Sequence, residues 1–432
     1  MPNDDKLVSF LSLDDKSTSI IKVIGVGGGG GNAVNHMYNE GIEGVTFALC
    51  NTDNQALARS PIPVKLQLGP TITKGLGAGN CPPKAKEAAE ESIEDIRRLL
   101  SDGTQMVFIT AGMGGGTGTG AAPVVARVAK EMGILTIGIV TIPFLFEGRD
   151  KILQAIDGVD AIKENVDALM IINNERLRSI YADLTFVNAF TKADDTLSIA
   201  ARSIVEIITI EGTMNLDFAD VSTTLRNGGV AIISTGLGEG DARVENAIKD
   251  ALHSPLLNNT DIVNAQRVLI NLSFSEESNF MMDEVNAIHE FMQNLNSNVK
   301  VIWGYAIDNS LGNSVKITLL ASGFDVKNFT GDEVDALVDQ DRIEKEQTET
   351  TRIEDIYGRG SVTTKGHVKK HHIYLFTPET LDDDNIIFNL EESPTYTRDK
   401  AALKRIAAQQ LEKAEQATPS AASAQQGGTI SF

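Results

Sequence analysis

Apolar residues fall in short runs along the first third of the chain, each closed by a polar or glycine-rich break. Residues 21–26, 45–49, 106–110, 134–142 and 168–172 read as buried strands. Helical patterns lie between them at residues 33–40, 84–100 and 123–130, with another starting at Glu147. Strands alternating with helices predict a parallel sheet covered on both faces. Further on, Phe186, Phe190, Ala193, Leu197, Ala200, Ile204, Ile207 and Ile208 keep helical spacing. That helix would run from about 185 to 210 and be about 39 Å long at 1.5 Å per residue, with Gly212 as its stop. A second α/β unit follows, with strands at 230–234, 268–274, 299–307 and 315–322 and helices at 242–252 and 282–295. Beyond about residue 325 acids, Thr, Gln and Lys dominate, as in a disordered linker. Short apolar or aromatic islands interrupt that polar stretch at 386–390 and 393–398, and 401–414 has helical character.

The expected layout is therefore a flexible arm (1–18), a parallel-sheet α/β domain (19–184), and a long central helix with its following loop (185–227). A second, smaller α/β domain (228–324), a disordered linker (325–380) and a tail (381–432) complete it.

The chemistry sits where strands meet helices. The run Gly112-Met113-Gly114-Gly115-Gly116-Thr117-Gly118-Thr119-Gly120 follows the strand at 106–110 and precedes a helix. Without side chains, backbone N–H groups can close on an anion, and the helix dipole favours the same charge. Thr117 and Thr119 add hydroxyls. A tight turn needs one or two glycines, so this density points to phosphate. A second strand–glycine–helix unit places Gly27, Gly28, Gly29, Gly30, Gly31 and Asn32 after the strand at 21–26. Gly25, Gly27 and Gly30 also satisfy the dinucleotide fingerprint, with Asp53 near the place of a ribose-binding acid. Neither loop has the Lys-Ser/Thr ending of a P-loop. A third glycine-rich loop, 74–80, is either a surface loop or, if it meets the phosphates, a sensor of the terminal one.

Composition narrows the classes. The chain has 432 residues and a net charge of −21, which argues against nucleic acid or a bare anionic membrane as the main partner. Two cysteines, Cys50 and Cys81, form no disulfide framework. The sequence shows no signal peptide and no long apolar span, so a cytoplasmic protein without membrane insertion is expected. The histidines are scattered, and no side chain is assigned to a metal.

Taken together these motifs resemble the tubulin/FtsZ family, the tubulin-like GTPases of bacterial cell division. The resemblance rests on the 114–120 loop, the first glycine run with Asn32, the Asn51-Thr52-Asp53 turn, residues 143–148 and the 215–220 loop, all in the family's order. It covers residues 20 to about 325. It implies that Gly28, Gly29, Gly30, Gly31, Asn32, Gly115, Gly116, Thr117, Gly118, Thr119 and Gly120 hold phosphates, with Glu147 on the ribose and Lys151 nearby. Asp195, or its neighbour Asp194, would meet the guanine N1–H and amino group, and Phe190 would stack on the base. The resemblance implies GTP, GDP and Mg²⁺ as ligands and a head-to-tail homopolymer. It further implies a ring at the mid-cell division site and partners reached through the tail, including a membrane anchor. Two departures stand out: Lys151 occupies a position that is usually Arg, and Asp194-Asp195 replaces the Asn-Asp of many relatives. Residues 393–398 match the family's partner-binding peptide loosely.

Asp217 and Asp220 are spaced i, i+3 and can share one side of a short turn. They suit either a helix cap or the positioning of a water. About fifteen helical residues separate Asp195 from the end of the long helix, roughly 22 Å, so these acids do not reach the nucleotide of their own chain. They can reach that of a neighbour stacked head-to-tail, a contact that does not close and so makes a filament. This agrees with hydrolysis completed in trans, as the resemblance implies, with Asn215 orienting the loop. Two other readings remain: a nicotinamide or flavin enzyme using the first glycine run, and a scaffold that binds GTP without turnover.

Overall fold

The computed structural model describes residues 19–181, 185–210, 214, 216–253 and 265–324. The arm, the linker, the tail, Gly212 and Asn215 lie outside the described residues.

Parallel strands organise the first half: β1 (Ile21–Val26), β2 (Thr46–Asn51), β3 (Val64–Gln67), β4 (Met106–Gly112), β5 (Leu135–Ile142) and β6 (Ala168–Asn173). Their helices are α1 (Gly27–Asn39), α2 (Asn54–Arg59), α3 (Pro70–Thr73), α4 (Pro82–Glu91), α5 (Ile93–Leu100), α6 (Gly116–Glu131), α7 (Arg149–Lys163) and α8 (Asn174–Ile180). The long helix α9 (Phe186–Thr209) and the short α10 (Phe218–Leu225) follow. The chain then forms β7 (Gly229–Gly238), α11 (Arg243–Leu252), β8 (Arg267–Phe274), α12 (Val285–Gln293), β9 (Lys300–Ile307) and β10 (Val315–Phe324).

All ten strands join one sheet in the order β3-β2-β1-β4-β5-β6-β7-β10-β8-β9. The pairs from β3 to β6 are parallel. β10 runs antiparallel to both β7 and β8, and β8 pairs parallel with β9. In the sheet the two halves are joined where β6 pairs parallel with β7, through Ala168↔Gly229 and Leu169↔Val230. Strands such as β1 and β4 are buried along almost their whole length, as expected of a sheet covered on both faces.

The long helix packs through the middle of the predicted stripe, whereas Phe190 near its start is exposed and Ile208 near its end is half-buried. Ala193, Leu197, Ala200, Ile204 and Ile207 are buried in one cluster with Ile137, Ile172, Ala231 and Ile233 from the sheet. Thr185 caps its start, its hydroxyl accepting the N–H of Asn188 at 3.3 Å.

Three local expectations change. The helix expected at 84–100 is two helices broken at Ser92, which is buried and whose hydroxyl accepts the N–H of Gly69 at 3.0 Å. The helices expected to start at 33 and 123 start at Gly27 and Gly116. The glycines are thus the first helical turns themselves, and Pro123 lies inside α6 rather than in its first turn.

Candidate functional site

The strand order β3-β2-β1-β4-β5-β6 reverses direction between β1 and β4, which makes a crevice at their carboxyl ends, the usual ligand position in such sheets. Both glycine runs open onto it. They touch through backbone: a Cβ on Gly27 would stand 2.8 Å from the Gly118 nitrogen, and one on Gly29 would stand 3.2 Å from the Gly112 Cα.

The glycines sort into two groups. Some are required by packing: a Cβ on Gly30 would lie 2.2 Å from the Thr110 carbonyl oxygen, on Gly118 2.3 Å from that of Gly112, and on Gly120 2.1 Å from that of Pro82. Gly25 belongs here as well, 2.5 Å from the Gly30 oxygen, so the dinucleotide fingerprint is explained by helix–strand packing. Gly28, Gly31 and Gly115 are different, because nothing lies within 4 Å of the Cβ they lack. Packing does not account for them; room for a ligand does. Neither α1 nor α6 has a side-chain cap on its first N–H groups, so two helix N-termini offer open donors to the same space. A polyanion such as a phosphate chain fits this cradle.

The threonines are already engaged. Thr117 and Thr52 hydroxyls lie 2.7 Å apart, and Thr119 accepts the Gly114 N–H at 2.9 Å from a buried position. The loop at 74–80 docks against the turn after β2, through Asn54 N–H to the Gly75 carbonyl (3.0 Å) and Gly77 N–H to that of Thr52 (3.1 Å). Its end presses on α6: a Cβ on Gly116 would stand 2.8 Å from the Cys81 nitrogen and 3.1 Å from the Ala78 Cβ. Asp53 caps α2, accepting the N–H groups of Gln55 and Ala56.

At the end of β5, Glu147 accepts the Phe144 N–H at 2.9 Å and pairs with Lys151 at 2.6 Å. Lys151 packs behind the second glycine run, its carbonyl oxygen 2.7 Å from a Cβ built on Gly114. Phe190 meets Phe144 edge-on, with ring centroids 5.1 Å apart.

Asp195 reaches α1. His36 Nε2 lies 2.7 Å from its Oδ1, close in distance but not aligned as a hydrogen bond, and 3.4 Å from Glu40 Oε1. Glu40 in turn accepts from Ser198 and, at 2.8 Å, from Arg202. The three ligand-type atoms of His36, Glu40 and Asp195 lie within 4.8 Å of one another. Lys192, 3.8 Å from Asp195, and Arg202 already supply positive charge there. Burial pushes the Asp194 carboxyl up to about 6, opposed by His36 and reinforced by the charge of Asp195.

Sequence reasoning passed over two residues. Asn174, at the carboxyl end of β6, is buried and its Oδ1 has no hydrogen-bond partner among the described residues. An orphan acceptor on this rim suits a ligand N–H donor. The signal was the doubled Asn173-Asn174 after an apolar strand. His36 was legible as the i, i+4 partner of Glu40.

Asp217 and Asp220 form a capping box on α10. Asp217 Oδ1 accepts the N–H groups of Ala219 (2.8 Å) and Asp220 (3.1 Å), and Asp220 Oδ2 accepts that of Asp217 (3.2 Å). The second oxygen of each carboxylate carries none of these bonds, so capping does not exhaust them.

An uncapped pair of glycine helix starts at the reversal of a parallel sheet, joined through a long helix to a mixed-sheet half, defines a tubulin-like nucleotide-binding protein. The family model for the Tubulin/FtsZ family, GTPase domain, matches residues 20–182, that for the FtsZ family, C-terminal domain, matches 229–325, and a further FtsZ C-terminal model matches 368–413. The cell division protein FtsZ of Porphyromonas gingivalis is 52% identical over 413 residues, covering 93% of this chain and 90% of that one. The FtsZ of Aquifex aeolicus is 43% identical over 72% of this chain and 84% of its own. A solved structure described as an empty FtsZ dimer from M. jannaschii superposes with a TM-score of 0.64 at 40% identity, covering 72% of this chain and 89% of that one. The chain belongs to the FtsZ family of cell-division proteins, tubulin-like GTPases that form protofilaments. No helix among the described residues is long and apolar enough to cross a membrane.

Proposed function

We propose that this chain binds GTP in the crevice between α1 and α6 and hydrolyses it at a head-to-tail contact with a second copy. The phosphates lie on the N–H groups of Gly28 to Asn32 and of Gly115 to Gly120. Guanine lies toward α9, where Asp195 accepts from its N1–H and amino group and Asn174 and Phe190 complete the base site. Glu147 takes the ribose, with Lys151 held against it. One observation carries the reading: Gly28, Gly31 and Gly115 face open space beside two uncapped helix starts.

The cradle is rich in donors, which suits phosphate oxygens and not a bare cation. A magnesium ion there would take most of its ligands from the phosphates and water and would neutralise charge developing during phosphoryl transfer. The chain's own residues do the rest. Backbone N–H groups hold and orient the phosphate chain. Asp217 and Asp220 sit beyond the far end of α9, which at 24 residues is about 36 Å long. They therefore act on the nucleotide of the next subunit, each with an oxygen left over from capping to position the attacking water. Asn215 orients that loop. Stacking in this sense is heterologous and builds a filament. The filaments form the ring at mid-cell in the cytoplasm, and the tail within 381–432 recruits a membrane anchor and other division proteins.

Light scattering after adding GTP, GDP or ATP with Mg²⁺ tests the reading, together with phosphate release across protein concentrations. Assembly on GTP alone, and specific activity that falls on dilution, are the expected results. A specific activity independent of concentration overturns hydrolysis in trans; flavin or nicotinamide absorbance in the purified protein would point to the dinucleotide reading instead.

A further inference from the structure

We infer that Gly304 in β9 is a positioning residue for the loop that carries Asp217 and Asp220. The inference rests on the reading that those acids act on a neighbouring copy's nucleotide.

β9 is one of the two edge strands of the sheet. One of its edges pairs with β8, where Gly304 sits opposite Asn271. Beyond that ladder, Tyr305 forms an antiparallel bridge with Met214, its N–H donating to the Met214 carbonyl at 3.2 Å. Met214, three residues before Asp217, is therefore tied to β9.

Gly304 makes that approach possible. A Cβ there would stand 2.5 Å from the Met214 carbonyl oxygen and 2.7 Å from Leu216 Cγ. The first of these is main chain and cannot rotate aside. The second belongs to a side chain that is only 4% exposed and is buried in the same cluster as Val221 and Leu225 of α10. Gly304 does not have the positive φ that favours glycine, so its backbone suits any residue. Ile302, two residues away on the same face of the strand, carries a full side chain against the same cluster as Leu216, so that face does not generally demand small residues. What excludes a side chain at 304 is the loop.

Leu216 immediately precedes Asp217, whose carboxylate caps α10. A methyl at 304 has to displace Met214 and Leu216 together, and the displacement passes directly to Asp217. Misplacing a reacting group by about 1 Å lowers turnover by roughly a hundredfold. The nucleotide crevice lies at the β1/β4 reversal, among other strands of the sheet, and is untouched.

The test compares full-length wild type, Gly304→Ala, Leu216→Ala and Asp220→Asn. GTP affinity is measured on dilute, unassembled protein, polymer mass by sedimentation, and turnover per sedimented subunit at saturating GTP. Gly304→Ala is expected to keep GTP affinity and polymer mass and to lose turnover ten- to hundredfold. Leu216→Ala removes the apolar anchor and is expected to lose turnover in the same direction. Wild-type turnover in Gly304→Ala, with Asp220→Asn slow, overturns the role of Gly304 and leaves hydrolysis in trans standing. Wild-type turnover in Asp220→Asn overturns the trans reading and this inference with it. If Gly304→Ala does not fold, Leu216→Ala decides: slow turnover at unchanged GTP affinity supports positioning from β9, and wild-type turnover overturns it.

Discussion

His36 Nε2 and Asp195 Oδ1 lie 2.7 Å apart across the contact between α1 and α9. The helix that begins in the phosphate cradle thus holds, at its other end, the acid proposed to read the base. The two ends of the proposed nucleotide site are set by one helix.

Asp195→Ala is expected to weaken GTP binding roughly ten- to a hundredfold, the usual effect of losing a charged hydrogen-bond partner worth about 1.5–3 kcal/mol. Competition titration on unassembled protein measures it. Unchanged GTP affinity would remove Asp195 from the base site.

Asp194 carries a pH signature. Its carboxyl, raised to about 6 by burial, keeps in the folded protein a proton that the unfolded chain releases near pH 4. Its contribution is most favourable below the unfolded value and is lost as pH rises through about 6. Asp194→Asn should therefore raise the melting temperature at pH 7.5, by about 1–2 kcal/mol of stability after allowing for partial exposure. The gain should vanish below about pH 4. A gain of equal size at both pH values would mean that the carboxyl's charge is not the cause.

The glycine classes separate fold from ligand. Gly28→Ala meets nothing in the protein and sits in a helix, so stability should hold or rise by up to about 1 kcal/mol. GTP binding should drop tenfold or more, because the methyl enters the ligand space. Gly30→Ala collides with a main-chain oxygen and should lower stability by about 3 kcal/mol or more. Thermal melts with and without GTP distinguish the two; equal GTP affinity in Gly28→Ala and wild type would take that residue out of the cradle.

Asp220→Asn keeps an oxygen that can accept the Asp217 N–H, so the cap and the fold should survive. The variant is expected to bind GTP and assemble, to hydrolyse at least about a hundredfold more slowly, and to form longer-lived polymers. Added in minority, it should depress wild-type turnover beyond its share. A mixture whose rate is the weighted mean of its parts argues for a site within one subunit.

A chain ending at Phe324 contains every proposed nucleotide contact and should still bind and hydrolyse GTP. Recruitment to the membrane anchor should be lost. Failure of this truncation to bind GTP would place part of the nucleotide site beyond residue 324.

Strand positions were legible because buried parallel strands are continuous apolar runs: β4, β5 and β6 were placed to within a residue or two. β3 escaped notice because it is a four-residue strand at the sheet's edge with Lys65 and Gln67 in it. The helix starts at Gly27 and Gly116 were hidden by propensity, since glycine is among the poorest helix formers and close packing on β4, on α4 and between the loops holds it there. The long helix was visible in its stripe, whereas the ties from His36 and Glu40 join residues about 160 positions apart, which no local pattern encodes. The short β6–β7 ladder that makes the two halves one sheet was equally invisible, because pairing partners leave no trace in either strand alone.

The surface of the proposed phosphate cradle is main chain, and that has a consequence for inhibition. A compound that bonds only to the N–H groups at 28, 31 and 115 meets no side chain whose replacement would evict it. Escape would require moving the backbone, and the adjoining glycines at 30, 118 and 120 are wedged within 2.1–2.3 Å of carbonyl oxygens once any side chain is added. If GTP binds there as proposed, resistance by point mutation would be confined to additions at 28, 31 and 115, where the methyl that blocks the drug would also block GTP.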